Sequence, residues 1–389
     1  MKKTIYAFTI WLFILPSLSG ISLAADTIRV GTTQPLTGKF KDFGEEQLRG
    51  LQMWVRDINA RGALLGKTVE LVYYDDYSEP DRSALLYRQL IEKDKVDLLI
   101  GPYSSDSTLA ASSIAEKYNF PMVASAASAE KIWQRGYKNI FGTDVPSANY
   151  MNVAITAAQA QGAKTFDLIS SDSEFSKDVA DGVRRELASR GLTLLMDEVY
   201  SIDQTDFSAL AKKLVNSKGE VLLGGTYLHD SVAISRAIGA LGHTRTNKDM
   251  IALTVGPALR EFGDEMGPAA EGIVGVVQWL RSVRKPGAQD FAYRYRLKYG
   301  YNPGVHAAIG YSTGQVIEAA VRLAGKLDKN AVRIQLSKMT FHSLFGEYRV
   351  DKTGRQVGKR NYLLQWQNNR RYLIDPRDVA ERELIYPRN

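Results

Sequence analysis

The stretch Ile28–Thr108 decides the fold: it opens IRVGTTQPLTG, continues through TVELVYYDD and ends VDLLIGPYSSDST. It reads as two and a half βα units. IRVGTTQPLTG is a strand with its exit loop, and the following helix carries Leu48, Leu51, Val55 and Ile58 on one face at i, i+3, i+7, i+10. The turn RGALLG leads into the second strand, TVELVYYDD. Pro80, after Ser78-Glu79, suits the first turn of a second helix. In the third strand Val96, Leu98, Leu99 and Ile100 are apolar on both faces, as a parallel strand covered by helices must be. The strand breaks at Gly101-Pro102 into a hydroxyl-rich loop. Ligands of open α/β sheets gather beyond the carboxyl ends of strands. GTTQPLTG and GPYSSDST offer hydroxyls and backbone N–H groups there, which predicts a small-molecule site.

The alternation continues through strands PMVAS, NIFGT, TFDLISS, LTLLMDEVY, EVLLGGTY, MIALTV and GIVGVV. Helices are predicted over Leu109–Tyr118, Asn149–Gln161, Lys177–Arg190 and Ser231–Leu241. Two mononucleotide-like halves divide near residue 145, and at 389 residues the chain is long enough for two domains. Asp290–Lys338 reads as mostly helical, with His306–Ala324 the longest helix. EYRVDKTGRQV and NYLLQWQNNRRYLID then read as strands whose turns are formed by Asp-Lys-Thr-Gly and Asn-Asn. Nothing resembling a low-complexity linker separates the halves.

Lys2 and Lys3, the apolar run Ile5–Leu15 and the small-x-Ala site Ser22-Leu23-Ala24 predict a signal peptide over residues 1–24. The run is too short to span a bilayer. The chain has no cysteine. No lipid anchor can therefore be attached at the cleavage site, and a periplasmic protein free in solution is expected. Losing Lys2 and Lys3 lowers the formal charge from +7 to +5. The basic residues are scattered, and neither Arg281–Lys285 nor Arg370-Arg371 is interleaved with stacking aromatics as a nucleic-acid groove would be.

Several motifs fail on spacing. Three residues separate Gly62 from Gly66, where a phosphate loop needs four, and that turn follows a helix and precedes a strand, the reverse of the required order. GTTQPLTGKF has its glycines too widely spaced. There is no G-x-S-x-G elbow and no H-E-x-x-H. His229, His243, His306 and His342 are far apart, with no ligand at metal spacing. Asp75 and Asp76 end a strand, and adjacent strand residues face opposite ways, so a structural role is expected. The reading is of no enzyme, no metal and no cofactor.

The segments PLTGKFKDFGEEQLRGLQMWVRDINARGALLGKTVELVYYDD, LLIGPYSSDSTLAASSIAEKYNFPMVASAAS, QRGYKNIFGT, DFSALAKKL and the GGTY strand end resemble, in order and spacing, the type I periplasmic binding proteins of ABC transporters. The similarity is to the branch that binds leucine, isoleucine and valine or related amides, and it covers Thr27–Asp375. It implies an α/β architecture of two Rossmann-like lobes joined by three hinge crossovers near Val145, Val277 and Phe345, with the ligand in the cleft. Residues 25–145 plus 278–345 would form the N-terminal lobe and 146–277 plus 346–375 the C-terminal lobe, leaving 376–389 as a tail.

The resemblance also implies site residues. Ser105 matches the hydroxyl after the third strand, and Ala126 with Ser128 matches the backbone-plus-hydroxyl pair after the fourth. Phe43 matches the aromatic cover of the first lobe and Tyr227 the strand-end tyrosine of the second. Together they would hold a carboxylate. Ser105 and Ser128 also precede helical segments, so helix capping is the competing role. Two positions depart from the pattern: Val255 stands where the family's acid meets the ligand ammonium, and Phe175 replaces a tyrosine. Asp172, Glu174 or Asp230 could substitute for the acid, or the ligand has no ammonium. His306 falls at the side-chain pocket, where a hydrogen-bonded helix-start histidine is the alternative.

The expected function is capture of a small amino acid, amide or carboxylate, by a monomer, for delivery to an ABC permease in the inner membrane. A ligand-sensing subunit of the same fold, reporting to a regulator or receptor, is the alternative.

Overall fold

The computed structural model describes residues 27–241 and 248–388. The leader expected over residues 1–24 and His243 lie outside the described residues.

Strand β1 (Thr27–Gln34), helix α1 (Lys41–Ala60), β2 (Thr68–Asp75), α2 (Pro80–Glu92), β3 (Leu98–Ile100), α3 (Ser105–Lys117), β4 (Met122–Ala124) and β5 (Ile140–Gly142) build the first sheet and its cover. The sheet order is β2-β1-β3-β4-β5, all parallel. The chain then makes α4 (Asn152–Ala160), β6 (Thr165–Ser171), α5 (Glu174–Ser189), β7 (Thr193–Tyr200), α6 (Ser208–Asn216), β8 (Val221–Gly225), α7 (Leu228–Gly239), β9 (Met250–Leu253), α8 (Val255–Ala258), α9 (Arg260–Met266) and β10 (Val274–Val277). The parallel part of the second sheet is β7-β6-β8-β9-β10, which repeats the order of the first. Both are doubly wound sheets with a switch point beside their first-formed strand.

Burial explains which strands look apolar in sequence. Every residue of β3, β4, β8, β9 and β10 is buried between helices, whereas the edge strand β7 alternates exposed with half-buried positions. Continuous apolar runs are thus central strands, and alternation marks an edge with one wetted face.

The chain returns to the first lobe for α10 (Ala288–Tyr299), α11 (Val305–Ala324), α12 (Lys329–Lys338) and the hairpin β11 (Phe341–Ser343) with β12 (Gly346–Tyr348). It finishes in the second sheet with antiparallel β13 (Tyr362–Gln367) and β14 (Arg370–Asp375), joined through Asn368 and Asn369 at φ 53° and 57°. Two successive positive-φ asparagines match the type I′ turn that suits the twist of a hairpin. The lobes are therefore linked by segments 143–151, 278–287 and 349–361. The third link corrects the expectation at Phe345. Phe345 and Tyr348 pack in the first-lobe core with Trp279, Phe291 and Leu344, and Gly354 still accepts from Gly142 N at 2.8 Å along the edge of β5. The crossing waits until this apolar hairpin has been buried.

α1 and α11, more than two hundred residues apart in the chain, cross in close contact. A β-carbon at Gly50 would collide with the Ala307 carbonyl oxygen, and one at Gly310 with the Gln47 carbonyl oxygen. The second lobe has its own deep tie: Lys248 Nζ ion-pairs with Asp167 and donates to Gly219 O at 2.7 Å, with both side chains buried. Asp75 and Asp76 hold loops. Asp75 accepts from Leu36 N at 2.9 Å and Tyr77 N at 2.8 Å, and Asp76 from the Thr33 hydroxyl at 2.8 Å and Ser78 N at 3.1 Å. No helix among the described residues is long and apolar enough to cross a membrane.

Gly50→Ala and Gly310→Ala are each expected to destabilise the protein by about 1–3 kcal/mol in urea unfolding, the cost of forcing two packed helices apart. Gly239→Ala, which meets open space, should be neutral or stabilising by up to about 1 kcal/mol. Lys248→Met should cost about 3–5 kcal/mol by leaving Asp167 buried and unpaired, and Asp167→Asn added to it should recover part of that loss.

Candidate functional site

The carboxyl ends of both sheets face one another, and their exit loops meet in a single cavity. At the end of β3, Ser104 caps α3 by accepting from Ser107 N at 3.1 Å, which leaves Ser105 in the first turn. The Ser105 hydroxyl oxygen accepts from Ser128 N and Ala129 N, each at 3.2 Å, so it bolts the exit loop of β4 to the start of α3. Ala126 lies in that same loop. From the second lobe come Phe175 in the first turn of α5, capped by Ser173, and Tyr227 at the start of α7. Val255 begins α8, and His306 sits in the first turn of α11.

Ser105, Ala126, Phe175, Tyr227, Val255 and His306 line one cavity. Its volume is ≈ 40 Å³; one water needs about 10–15 Å³, so the walls fit closely. Phe43 does not line it but packs behind, with ring centroids 5.0 Å from His306, 5.3 Å from Tyr103 and 6.3 Å from Tyr227. Phe40 approaches Tyr227 to 4.9 Å. Ser128 also stands one layer back, and its buried hydroxyl makes no hydrogen bond.

The lobes touch along the cleft mouth. Besides the Phe40 and Phe43 contacts with Tyr227, Lys131 pairs with Glu174 at 3.0 Å and Lys39 with Asp203 at 2.5 Å. These surface pairs hold the lobes together only weakly, since exposed ion pairs contribute about 0–1 kcal/mol. The aromatic contacts between the lobes are buried.

None of the acids considered from sequence reaches the cavity. Asp172 accepts from Ile202 N at 2.8 Å. Glu174 pairs with Lys131 and Lys177. Asp230 accepts from Tyr200 OH at 2.6 Å and reaches back to Tyr227 N at 2.7 Å as the third helical residue of α7. Its task is capping. The acid in the cavity is instead Asp144, on the first link just past β5. It accepts from Tyr150 OH at 2.8 Å and from Val145 N at 2.8 Å. Burial pushes its carboxyl up to about 6, against the Tyr150 hydrogen bond and the Lys359 charge, which both favour the ionised form. Tyr103, Tyr150 and Gln278, which the sequence does not mark, also line the cavity. Tyr103 OH lies 3.3 Å from His306 Nε2, and His306 Nδ1 lies 3.5 Å from Glu46.

The signal for Asp144 was present. It follows a short apolar strand, as Ser105 does, but two strands later and on a segment whose sequence reads only as a lobe boundary. Tyr150 and Gln278 gave no local signal, because they reach the cavity only through the crossing of the links. Among the described residues, no three His, Asp or Glu side chains converge as a metal site would require.

This constellation can hold a small solute by hydrogen bonds, a buried carboxylate and aromatic faces, and it contains no nucleophile paired with a base. A profile of the periplasmic binding protein family matches residues 27–371. The chain is 24% identical to the Leu/Ile/Val-binding protein homolog 7 of Brucella melitensis over 388 residues, covering 95% of this chain and 96% of that one. Its fold is similar to the branched-chain amino acid transporter substrate-binding protein LivJ of Streptococcus pneumoniae, solved with isoleucine (TM-score 0.80, 23% identity, 90% of this chain and 100% of that one). It is similar also to a solute-binding protein of an ABC transporter from R. palustris, solved with benzoate (TM-score 0.79, 19% identity, 93% and 97%). The two-lobe α/β fold and the profile match over nearly the whole described chain agree: the protein belongs to the periplasmic binding protein family, whose members are substrate-binding proteins of ABC transporters and not enzymes.

Proposed function

We propose that this protein captures a small amino acid in its interlobe cleft in the periplasm, after removal of residues 1–24, and delivers it as a monomer to an ABC permease. The observation that carries the amino-acid reading is Asp144, a buried carboxylate on the cavity wall opposite in charge to a ligand ammonium. A buried ammonium without a counter-charge is costly, and Asp144 supplies on the first link what Val255 does not supply in the second lobe. The ligand carboxylate belongs at the start of α3. There the helix terminus favours negative charge, and Ser105 and the Ala126 backbone are at hand, with Ser128 one layer behind them. Phe175, Tyr227 and Val255 then take the side chain. The similarity to leucine-, isoleucine- and valine-binding proteins supports the same ligand class.

An aromatic carboxylate is the second reading, favoured by the ring-rich walls of Tyr103, Tyr150, Phe175 and Tyr227. The two separate at Asp144. Titration calorimetry over branched-chain and small amino acids and benzoate should show Asp144→Asn weakening amino-acid binding by about 1.5–3 kcal/mol, tenfold or more. Benzoate binding that is tighter in the variant, with no amino acid bound by wild type, would overturn the first reading. Ser105→Ala should weaken either ligand by about 1–3 kcal/mol. It should also lower the stability of the ligand-free protein, because Ser128 N and Ala129 N lose their acceptor.

The pH dependence carries the same distinction. An ammonium ligand needs ionised Asp144, so its affinity should be flat above neutrality and fall as pH drops through about 6, the value to which burial raises this carboxyl. A carboxylate lacking an ammonium should show the opposite trend, weakening as pH rises and Asp144 ionises. Calorimetry between about pH 5 and about pH 8 reads the sign directly.

A further inference from the structure

Behind the ligand cavity, on the far side of Gln278, a second and larger concavity of ≈ 360 Å³ opens between the links 278–287 and 349–361. Its charged walls are Lys285, His342, Glu347, Lys359 and Arg360. Most of that charge is already matched. Glu347 is held by Arg349 Nε at 2.9 Å and faces His342 Nε2 at 3.5 Å, and Arg360 pairs with Asp378 at 2.7 Å. Lys285 and Lys359 remain. Among the described residues neither forms an ion pair with a carboxylate; Lys285 lies over the Tyr362 ring at 5.9 Å and Lys359 over the Phe345 ring at 4.8 Å. Their stems converge on Gly346: a β-carbon there would lie 3.8 Å from Lys359 Cε and 4.0 Å from Lys285 Cε. Two lysines from different links thus converge beside one polar space, where the remaining carboxylate on the wall, Glu347, is already held by Arg349.

We propose that this hinge concavity binds a small divalent oxyanion of the phosphate type, held between Lys285 of the second link and Lys359 of the third. Two monovalent cations on flexible stems match one divalent anion, and desolvated like charges gain most from such a partner. Burial already drives the Lys359 amine down to about 7, with Lys285 pushing the same way and Asp144 opposing. An inserted anion restores the full charge of Lys359. Because the site joins two of the three segments that link the lobes, occupancy stiffens the hinge. Lys359 Nζ also donates to Thr143 O, next to Asp144, so a bound anion draws a competing charge away from the acid proposed to meet the ligand ammonium. This last consequence rests on the function proposed above, while anion binding does not.

The test is calorimetric titration of the mature chain with inorganic phosphate, with sodium chloride at matched ionic strength as reference and no solute present. Saturable binding of phosphate is expected. It should be weakened at least tenfold, on the order of one charge-assisted hydrogen bond, in Lys285→Ala and retained in Lys285→Arg. Thermal unfolding of each variant without phosphate separates a lost site from a lost fold. Equal heats from chloride, undiminished binding in Lys285→Ala, or binding seen only with vesicles containing phosphatidic acid would overturn the proposal. A wild-type chain that binds phosphate but no amino acid would sink the proposed function and leave the hinge site standing.

Discussion

The close crossing of α1 and α11 is the constraint on which the rest of the molecule depends. A doubly wound sheet must be covered on both faces, and the helices of residues 41–117 do not suffice for the first sheet. The remaining cover comes from α10 and α11, which the chain makes only after completing most of the second lobe. Gly50 and Gly310 let the two long helices approach until backbone meets backbone. That contact commits the chain to return, and a chain that leaves and returns must cross between lobes more than once. The first and second links follow from this packing. The third follows from β13 and β14, which extend the second sheet past β10.

The same packing builds the site. Phe43 and Glu46 lie on α1 and His306 on α11, so the helix contact brings their side chains to one end of the first lobe. Across from them the switch point of the second sheet presents Phe175 and Tyr227. The apolar core of the second lobe continues through Tyr227 into Phe40, Phe43 and Tyr103. Contact between the lobes is therefore a continuation of core packing, favoured by the aromatic area it buries.

Charge is rationed inside this closed space. Asp144 is the acid on the cavity wall, and it sits on a link between lobes, tied to Tyr150 on the same link. Lys359, on another link, is bound to the neighbouring carbonyl of Thr143. The links between the lobes thus carry both of these charged groups. Under the proposed function, placing these groups on the links would couple capture to the hinge closure that periplasmic binding proteins use.

Much of the fold was legible because its signals are local. Apolar runs such as Leu98–Ile100, the face Leu48-Leu51-Ile58, Pro80 at a helix start and the Asn-Asn turn each reflect burial or backbone preference that neighbouring residues settle. Helices α3, α5 and α7 begin before their apolar periodicity does, because capping by Ser104, Ser173 and Asp230 draws polar residues into the first turn, where that periodicity is silent. The general rule for open sheets points to the loops after β1 and β3, of which the β3 loop lines the cavity through Ser105, while the loops after β4 and β8 are implied only by the family resemblance. By itself the sequence determined two α/β lobes, a cleft at the carboxyl ends of their strands and a hydroxyl-lined pole within it. Only the tertiary structure decided which acid enters that cleft, where the third link leaves the first lobe and which lysines share the hinge. Those outcomes depend on segments hundreds of residues apart meeting at the links, and long-range packing of that kind leaves no periodicity in the chain.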